Sequence, residues 1–391
     1  MRIAIDYTAA IRQGAGIGTY VRNLVAAMLE QDQNNQYTLL TSGRPTAEHP
    51  FPAGENVRGR SILIPDRYLN ILWYRLRAPL PATLFSGPAD IYHGPDFVLP
   101  PLGRAVRKVV TIHDLAFLEH PEYAVPSLAA YLHKVVPDAV QAADVVATVS
   151  HEVSRTLMTH FQVPREKLTV VPNGVAPHFR RITDPVILGA TLHKYNLKHP
   201  LVLAVGTMEP RKNHLGLIKA FHQAQRRAAK NGPAMLAIAG GPGWLYDETQ
   251  SLVTELHLER KVRFLGRVSD LELITLYSMA DVFAFPSFFE GFGIPPLEAM
   301  ACGAPVITSN TSSLPEVVGD AALQVDPHAI DALSEAILRL LDDESLREEL
   351  RQKGYEQVKH YTWAASARKM LIIYQKLYNG ETVFTDEVAI T

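Results

Sequence analysis

Two glutamates with seven residues between them, Glu290 and Glu298, bracket the stretch EGFGIPPLE. Such a pair could flank a scissile bond and divide acid and base work, as glycoside hydrolysis requires. It could instead hold a polar ligand. A third possibility is that one glutamate merely interacts with the positive end of a helix. The intervening residues bear on the choice. Gly291 and Gly293 let the backbone approach a ligand closely, and Pro295 and Pro296 suit the first helical positions, where a missing N–H costs little. Glu298 then falls in the first turn of a short helix that Gly303 ends. The helix dipole would account for Glu298 but explains neither Glu290 nor the glycines.

A second group is cationic. In VLAVGTMEPRKNHLGLIKAF a strand ends at Gly206, and Arg211 and Lys212 stand just ahead of the next helix, with Asn213 as its N-cap. Arginine offers phosphate a fork of donors, lysine a point charge, and the helix terminus its dipole. The bland alternative is a solvated charge pair. Near the N-terminus, GAGIGTY carries Gly14, Gly16 and Gly18 between a strand and a helix, but it is not G-x-G-x-x-G. No acid ends the second strand, so a dinucleotide site is poorly supported. His113 and Asp114 end the central strand of VVTIHDLAF. A histidine there can bond a hydroxyl or stabilise charge, or be satisfied by backbone while Asp114 caps the next segment. His93 and Asp96 occupy a similar place with a weaker case. No HExxH-like spacing marks a metal site. Cys302, the only cysteine, has no paired base and reads as a small core residue.

These residues need elements to hold them. Strands are expected at 2–6, 37–41, 60–65, 90–94, 108–114, 145–150 and 168–174, then at 201–206, 234–241, 262–266, 282–287 and 305–309. Most are continuously apolar, as strands covered on both faces tend to be. Helical patterns such as 16–31 and 214–229 alternate with them, which argues for two open α/β parallel sheets. A chain of 391 residues suits two domains, and the turn-rich stretch 172–200 is the best boundary. Ligands would then sit at the carboxyl ends of the strands, with the cleft between the domains as the default site. A net charge of −2 leaves no footprint for nucleic acid. A single cysteine, no bilayer-length apolar run and no signal-peptide pattern at the N-terminus suggest a cytoplasmic protein.

Together the motifs resemble the family 4 glycosyltransferases, which have the GT-B fold of two Rossmann-like doubly wound parallel sheets facing a central cleft. EGFGIPPLE carries the likeness most strongly, and GTMEPRKN, GRVSDLELITLYSMADVFAFPS, GAPVITSNTSSLPEVVGDAA and VVPNGV support it. In the first half, GAGIGTYVRNL and TIHD match more loosely. The resemblance implies an N-terminal acceptor domain over 1–180 and a nucleotide-sugar domain over 181–361. A C-terminal helix, 362–380, would cross back to the first domain, and 381–391 would form a peripheral tail.

It further implies retaining transfer of a sugar from a nucleotide donor. Glu290 would bind donor-sugar hydroxyls, helped by backbone from Gly291 through Phe292, Gly293 and Ile294, and Glu298 would hold the ribose. Arg211 and Lys212 would neutralise the diphosphate, Gly16 would approach it from the other domain, Val268 would lie by the base and His113 near the donor sugar. Asp114 and Tyr20 are acceptor-side candidates. Many relatives carry a basic residue soon after the strand-end glycine, where this chain has Thr207, so Arg211 would take that role. No D-x-D occurs, which points to metal independence with no cofactor beyond the donor. GDP-mannose is favoured over a UDP-sugar, and the acceptor would be a glycan or lipid-linked hydroxyl. A nucleotide-sugar epimerase and a non-catalytic scaffold subunit are the alternatives on this fold, and a glycoside hydrolase is the rival outside it. Oligomeric state is left open. The segment RYLNILWYRLRAPLP, 67–81, reads either as an amphipathic helix packed on the first domain with its arginines reaching water, or as a peripheral contact with the inner membrane face.

Overall fold

A computed structural model of the chain describes residues 1–383 except 15, 77, 124, 228–233 and 244–245, and omits the Asp66 side chain. The chain forms two compact units: one comprises Met1–Gly174 with the chain from Thr362 onward, the other Val175–Tyr361. The division falls six residues before the expected position 180. The expected tail lies outside the described residues from 384 on, as does the end of the 214–229 helical pattern.

The first unit holds β1 (Arg2–Asp6), β2 (Gln36–Ser42), β3 (Val57–Ile62), β4 (Ile91–Gly94), β5 (Arg107–Ile112), β6 (Val145–Thr148) and β7 (Leu168–Val170). All pairs are parallel, in the order β3-β2-β1-β4-β5-β6-β7. The second unit holds β8 (Leu201–Val205), β9 (Met235–Ala239), β10 (Val262–Gly266), β11 (Val282–Phe285), β12 (Val306–Ser309) and β13 (Ala322–Val325). These too are parallel, in the order β10-β9-β8-β11-β12-β13. Each sheet reverses direction of growth beside its first strand, at β1/β4 and at β8/β11. Such switch points open a crevice at the carboxyl ends of the strands.

Two edge strands depart from the sequence expectation for the same reason. β13 was not anticipated, because only one of its four residues is buried and its apolar signal is diluted. β3 begins at Val57 rather than at 60, and its interior is exposed. The apolar run that suggested 60–65 continues into Leu63 and Ile64, which lie on the surface. Central strands such as β6 and β11, buried throughout, follow the pattern closely.

Within the second unit, the helix His214–Arg227 buries Leu217, Ile218, Phe221 and Ala224 along one face. That stripe joins β8, β9 and β11 residues and Leu333, Ile337 and Leu340 of the helix Ile330–Asp342 in one core. Spacing of three and four residues is what lets a helix present a continuous apolar face to a sheet.

The helix Trp363–Asn379 belongs to the first unit, where it packs on the helix Ile17–Gln31 and buries Met370, Ile373 and Tyr374. Thr362 caps it through Ala365 N–H at 3.2 Å, and Gln31 Nε2 donates to Ala364 O at 3.0 Å. Gly174 makes this approach possible: a Cβ there would lie 2.2 Å from the Trp363 backbone nitrogen. Backbone cannot yield as a flexible side chain can. Gly174→Ala should therefore destabilise the protein by about 1–3 kcal/mol in denaturant melts, whereas Gly103→Ala, which meets open space, should stay within about 0.5 kcal/mol.

Candidate active site

The loop after β8 turns through a short 3-10 segment, Pro210–Lys212, before the helix that starts at His214. Asn213 sits between them in the left-handed region at φ 55°, which asparagine tolerates better than most residues. Its Oδ1 accepts from Gly216 N–H at 3.2 Å and its Nδ2 donates to Pro327 O at 2.8 Å. The expected cap is thus present, and it also ties the loop to the segment after β13.

β11 lies beside β8 in the sheet, so the loop after it runs past this turn. Phe288 N–H donates to Arg211 O at 2.8 Å, and Arg211 Nη1 donates to Phe289 O at 3.1 Å and to Glu290 Oε2 at 2.6 Å. Lys212 Nζ donates to Glu290 Oε1 at 2.6 Å. Glu290 therefore carries one cation on each oxygen while only 7% exposed. Burial alone would raise its carboxyl, but Arg211 and Lys212 overcome that and hold it down at about 2. Lys212 is pushed below its ordinary value, first by burial and then by Arg211. From sequence, the cations and Glu290 looked like separate contributors to a site; the fold makes them one triad of two positive charges and one negative.

Four hydroxyls at the end of β12 and just beyond it, unanticipated from sequence, brace the same loop. Ser309 donates to Ser287 O at 2.5 Å and Thr311 to Phe288 O at 3.1 Å. Ser312 Oγ accepts from Glu290 N–H at 3.0 Å, and the Ser313 hydroxyl is shared between Glu290 O and Phe292 O, each at 2.9 Å. The signal was the run SNTSS following a strand, which resembles any polar turn until β12 is known to neighbour β11. Gly293 has φ 96°, and a Cβ there would fall 2.6 Å from Leu314 Cδ2. Phe292 turns its ring inward, 4% exposed and edge-on to Tyr361 at 5.6 Å. Gly291 is buried and Ile294 half-buried, so this stretch can offer a ligand chiefly backbone.

Glu298 is the fifth residue of the helix Ile294–Ala301, beyond the first turn in which sequence had placed it. The first-turn dipole explanation consequently weakens. Tyr277 Oη donates to its Oε2 at 3.2 Å, yet burial pushes the carboxyl up to about 7. Val268 is half-buried just ahead of Ser269, which caps the helix Asp270–Met279. Cys302 is fully buried with its thiol pushed up by burial, consistent with a core role.

In the first unit, His113 follows β5 and is 8% exposed. Its Nε2 lies 2.7 Å from Pro95 O. A carbonyl can only accept, so Nε2 carries the proton, and burial keeps the ring neutral by pushing its pKa down to about 4. Nδ1 then has a lone pair to offer. Asp114 Oδ1 accepts from Ala116 N–H at 3.1 Å, which is the local capping role. His93 is completely buried between Tyr374 Oη at 2.7 Å and Thr111 Oγ1 at 2.8 Å. Gly16 caps the helix Ile17–Gln31, and Arg22 gathers the carbonyls of Ala10, Gln13 and Gly14 around that loop at 2.6–3.1 Å.

Tyr20 corrects the sequence expectation. It is 1% exposed, with its hydroxyl 3.3 Å from Thr111 Oγ1 and its ring edge-on to His113 at 4.6 Å. Helical spacing from Gly16 turns it into the core, so it supports His113 instead of facing an acceptor.

Comparison with known proteins gives two family matches. Residues 14–179 match the model described as Glycosyltransferase Family 4, and residues 193–357 that described as Glycosyl transferases group 1. The O-antigen chain mannosyltransferase B of Escherichia coli is 37% identical over 288 residues, 73% of this chain and 74% of that one. Against further relatives at 28–32% identity the chain spans 28–60% of their length. Among solved structures, a sucrose-phosphate synthase from Thermosynechococcus elongatus superimposes with TM-score 0.75 at 22% identity, covering 97% of this chain and 100% of that one. Anabaena Alr3699/HepE, in complex with UDP and glucose, gives TM-score 0.71 at 17% identity, covering 96% and 100%.

Two expectations follow from the carboxyl groups. Glu290→Gln should destabilise the protein by about 3 kcal/mol in denaturant melts, because Arg211 and Lys212 lose their buried counter-charge. Glu298 has a raised folded pKa, so its contribution is complete below about 4.5 and is lost as pH rises toward about 7. Thermal melts across that window should show Glu298→Gln flattening the decline. Glu290, with a depressed pKa, acts in the separate window from about 4.5 down to about 2.

Proposed function

The chain belongs to the group 1, family 4 glycosyltransferases on the GT-B fold, and we propose that it moves a mannosyl residue from a nucleotide-diphosphate sugar to a hydroxyl of a glycan or lipid-linked acceptor. Likeness to an O-antigen mannosyltransferase supports mannose, with GDP-mannose preferred to a UDP-sugar, and supports a place in polysaccharide or glycoconjugate biosynthesis. A fold neighbour solved with UDP and glucose supports the broader nucleotide-sugar reading.

The observation that carries the proposal is the Arg211–Glu290–Lys212 triad. Breaking the anomeric C–O bond develops positive charge on the sugar and negative charge on the leaving diphosphate. The triad itself sums to +1, with Glu209 Oε2 3.7 Å from Arg211 Nη2 as an outer counter-charge; it is fixed by hydrogen bonds at the end of β8 and precedes the N-terminus of the helix His214–Arg227. Charge already in place need not reorganise as the leaving group forms. Arg211 and Lys212 stabilise the diphosphate in this mechanism, without a metal. Glu290 orients both cations and accepts from sugar hydroxyls, alongside backbone from Gly291 to Ile294. Glu298 bonds the ribose, Val268 lies against the base, Gly16 approaches the diphosphate, and His113 offers Nδ1 to a sugar hydroxyl. Asp114 is kept as an acceptor-side group. The departing phosphate oxygen takes the proton of the acceptor hydroxyl as the new C–O bond forms on the same face, so configuration is retained.

The carboxyl pKa values are split, a pattern that glycosidases also use. Both oxygens of Glu290 nevertheless hold cations at 2.6 Å, which leaves it poorly placed to attack an anomeric carbon. Transfer is therefore favoured over hydrolysis.

A thermal-shift panel of GDP-mannose, UDP-glucose and ADP-glucose tests the donor. GDP-mannose should give the largest stabilisation, about 2.7 kcal/mol at a hundredfold excess over Kd. A shift with UDP-glucose alone would reassign the base. In transfer assays Arg211→Ala should lower kcat by about 10²–10³; unchanged turnover would remove the triad from the mechanism. Donor epimers formed without acceptor would identify an epimerase instead.

A further inference from the structure

Two segments of the first unit depart from their sequence reading and lend no side chain to the transfer described above. Residues 67–81 break into Asp66–Asn70 and a π-helical turn, Ile71–Arg75, instead of forming one amphipathic helix. The other segment, HGPDFVLP at 93–100, offered His93 and Asp96 as candidates, but its unusual residue is Phe97. Six non-glycine residues among those described have positive φ: Phe97 at 61°, Gln162, Asn196, Asn213, His257 and Ser312. The other five carry polar side chains. Phe97 is apolar and bulky, and for such a residue this conformation is a true outlier. Val98 N–H donates to Asp96 O at 2.8 Å across it. A bond from the third residue back to the first, around a centre at positive φ, marks the rare and strained form of the γ-turn. Such strain persists only where the surroundings over-determine it, and it gathers at working sites.

The ties that hold this turn lead to the strand that ends at His113. Phe97 N–H donates to Thr111 O at 3.0 Å. Pro95 O accepts from His113 Nε2 at 2.7 Å. The Phe97 ring, 7% exposed, stands edge-on to the His113 ring with centroids 5.6 Å apart. Thr111 is itself anchored, its Oγ1 lying 2.8 Å from His93 Nε2 and 3.3 Å from Tyr20 Oη. Gly94 lets the turn close, since a Cβ there would fall 2.1 Å from Val98 O. A phenylalanine kept only for its bulk could pack from ordinary extended backbone. Relaxing Phe97 to negative φ would open the Asp96–Val98 bond and carry the Pro95 carbonyl off Nε2.

We infer that the strained turn Asp96–Val98 positions His113 for sugar transfer: it holds the Pro95 carbonyl against Nε2, so that the ring presents Nδ1, and the packing of Phe97 on His113 holds the strain in. Phe97 is a positioning residue, acting through His113 and not on the sugar. The inference rests on the proposed role of His113, whose Nδ1 accepts from a sugar hydroxyl. An imidazole released from the Pro95 carbonyl can change tautomer, and it would then present N–H where the hydroxyl needs an acceptor.

Phe97→Ala and Phe97→Gly separate the turn from the ring. Both lose the packing and should melt below the unaltered protein. Alanine retains the cost of positive φ with nothing to hold it, so the turn relaxes; glycine adopts that conformation freely and keeps the turn. Phe97→Ala should therefore lower kcat about tenfold to a hundredfold, while Phe97→Gly should retain most of it. Spectra of the full chain labelled with nitrogen-15 histidine give a second readout, the His113 signal being the one lost in His113→Gln. It should report Nε2–H with a bare Nδ1 in the unaltered protein and in Phe97→Gly, and mixed tautomers in Phe97→Ala. Equal loss of kcat in both Phe97 variants would assign the effect to the ring and overturn the proposal, as would Nδ1–H in the unaltered protein. Should Phe97→Ala not fold, a Phe97→Gly as slow as His113→Gln would overturn it alone. Unchanged turnover in His113→Gln would remove the premise and the proposal together. Loss there with none in Phe97→Ala would remove the proposal and leave the premise standing.

Discussion

A carboxylate with a cation on each oxygen, buried at the end of a parallel sheet, is the constraint around which the second unit is arranged. Removing three charged groups from water is expensive, and their mutual attraction repays it only where the geometry is tight. The geometry is tight because the loops that carry these groups are themselves hydrogen-bonded to each other and to the hydroxyls of Ser312 and Ser313. Arg211 accepts from Phe288 N–H through its carbonyl while its guanidinium reaches Phe289 O and Glu290. The strand order brings these segments together: β8 and β11 are neighbours at a reversal, so their following loops share a crevice.

The hydroxyl row from Ser309 to Ser313 completes that arrangement. Each bonds the backbone of 287–292, so the loop bearing Glu290 is fixed from the β12 side as the cations fix it from the β8 side. A site that must stabilise developing charge benefits from such rigidity, since dipoles already aligned do little reorganising. The first unit uses similar means at His113, whose proton is set by a carbonyl and whose ring is packed by Tyr20 and Phe97. Below it, His93, Thr111 and Tyr374 satisfy one another in the core and tie the C-terminal helix to β4 and β5.

The fold was legible wherever burial was complete. Central strands such as β6 and β11 announce themselves because both faces are covered and every residue is apolar or small. The edge strands β3 and β13 were not, because their faces are exposed and their composition resembles loops, whereas the edge strand β10 was expected at its observed bounds. The same ambiguity made Leu63 and Ile64 look like strand when they are surface. Tyr20 departs in the opposite direction: the family resemblance made it an acceptor-side candidate, but the helical turn sends it inward.

Residue type and local spacing alone determined which groups are available: two glutamates with seven residues between them, an Arg-Lys pair at a strand end, a histidine after a central strand. Those are properties of short segments, set by propensity, turn chemistry and periodicity. Only the tertiary structure decided that Glu290 holds Arg211 and Lys212, that Glu298 stands apart with Tyr277, and that serines more than twenty residues away clamp the loop. These partners are distant in sequence, and their encounter depends on the order in which parallel strands assemble. Charge state follows from that encounter: one carboxyl is held at about 2 and the other pushed to about 7 because their surroundings, not their chemistry, differ.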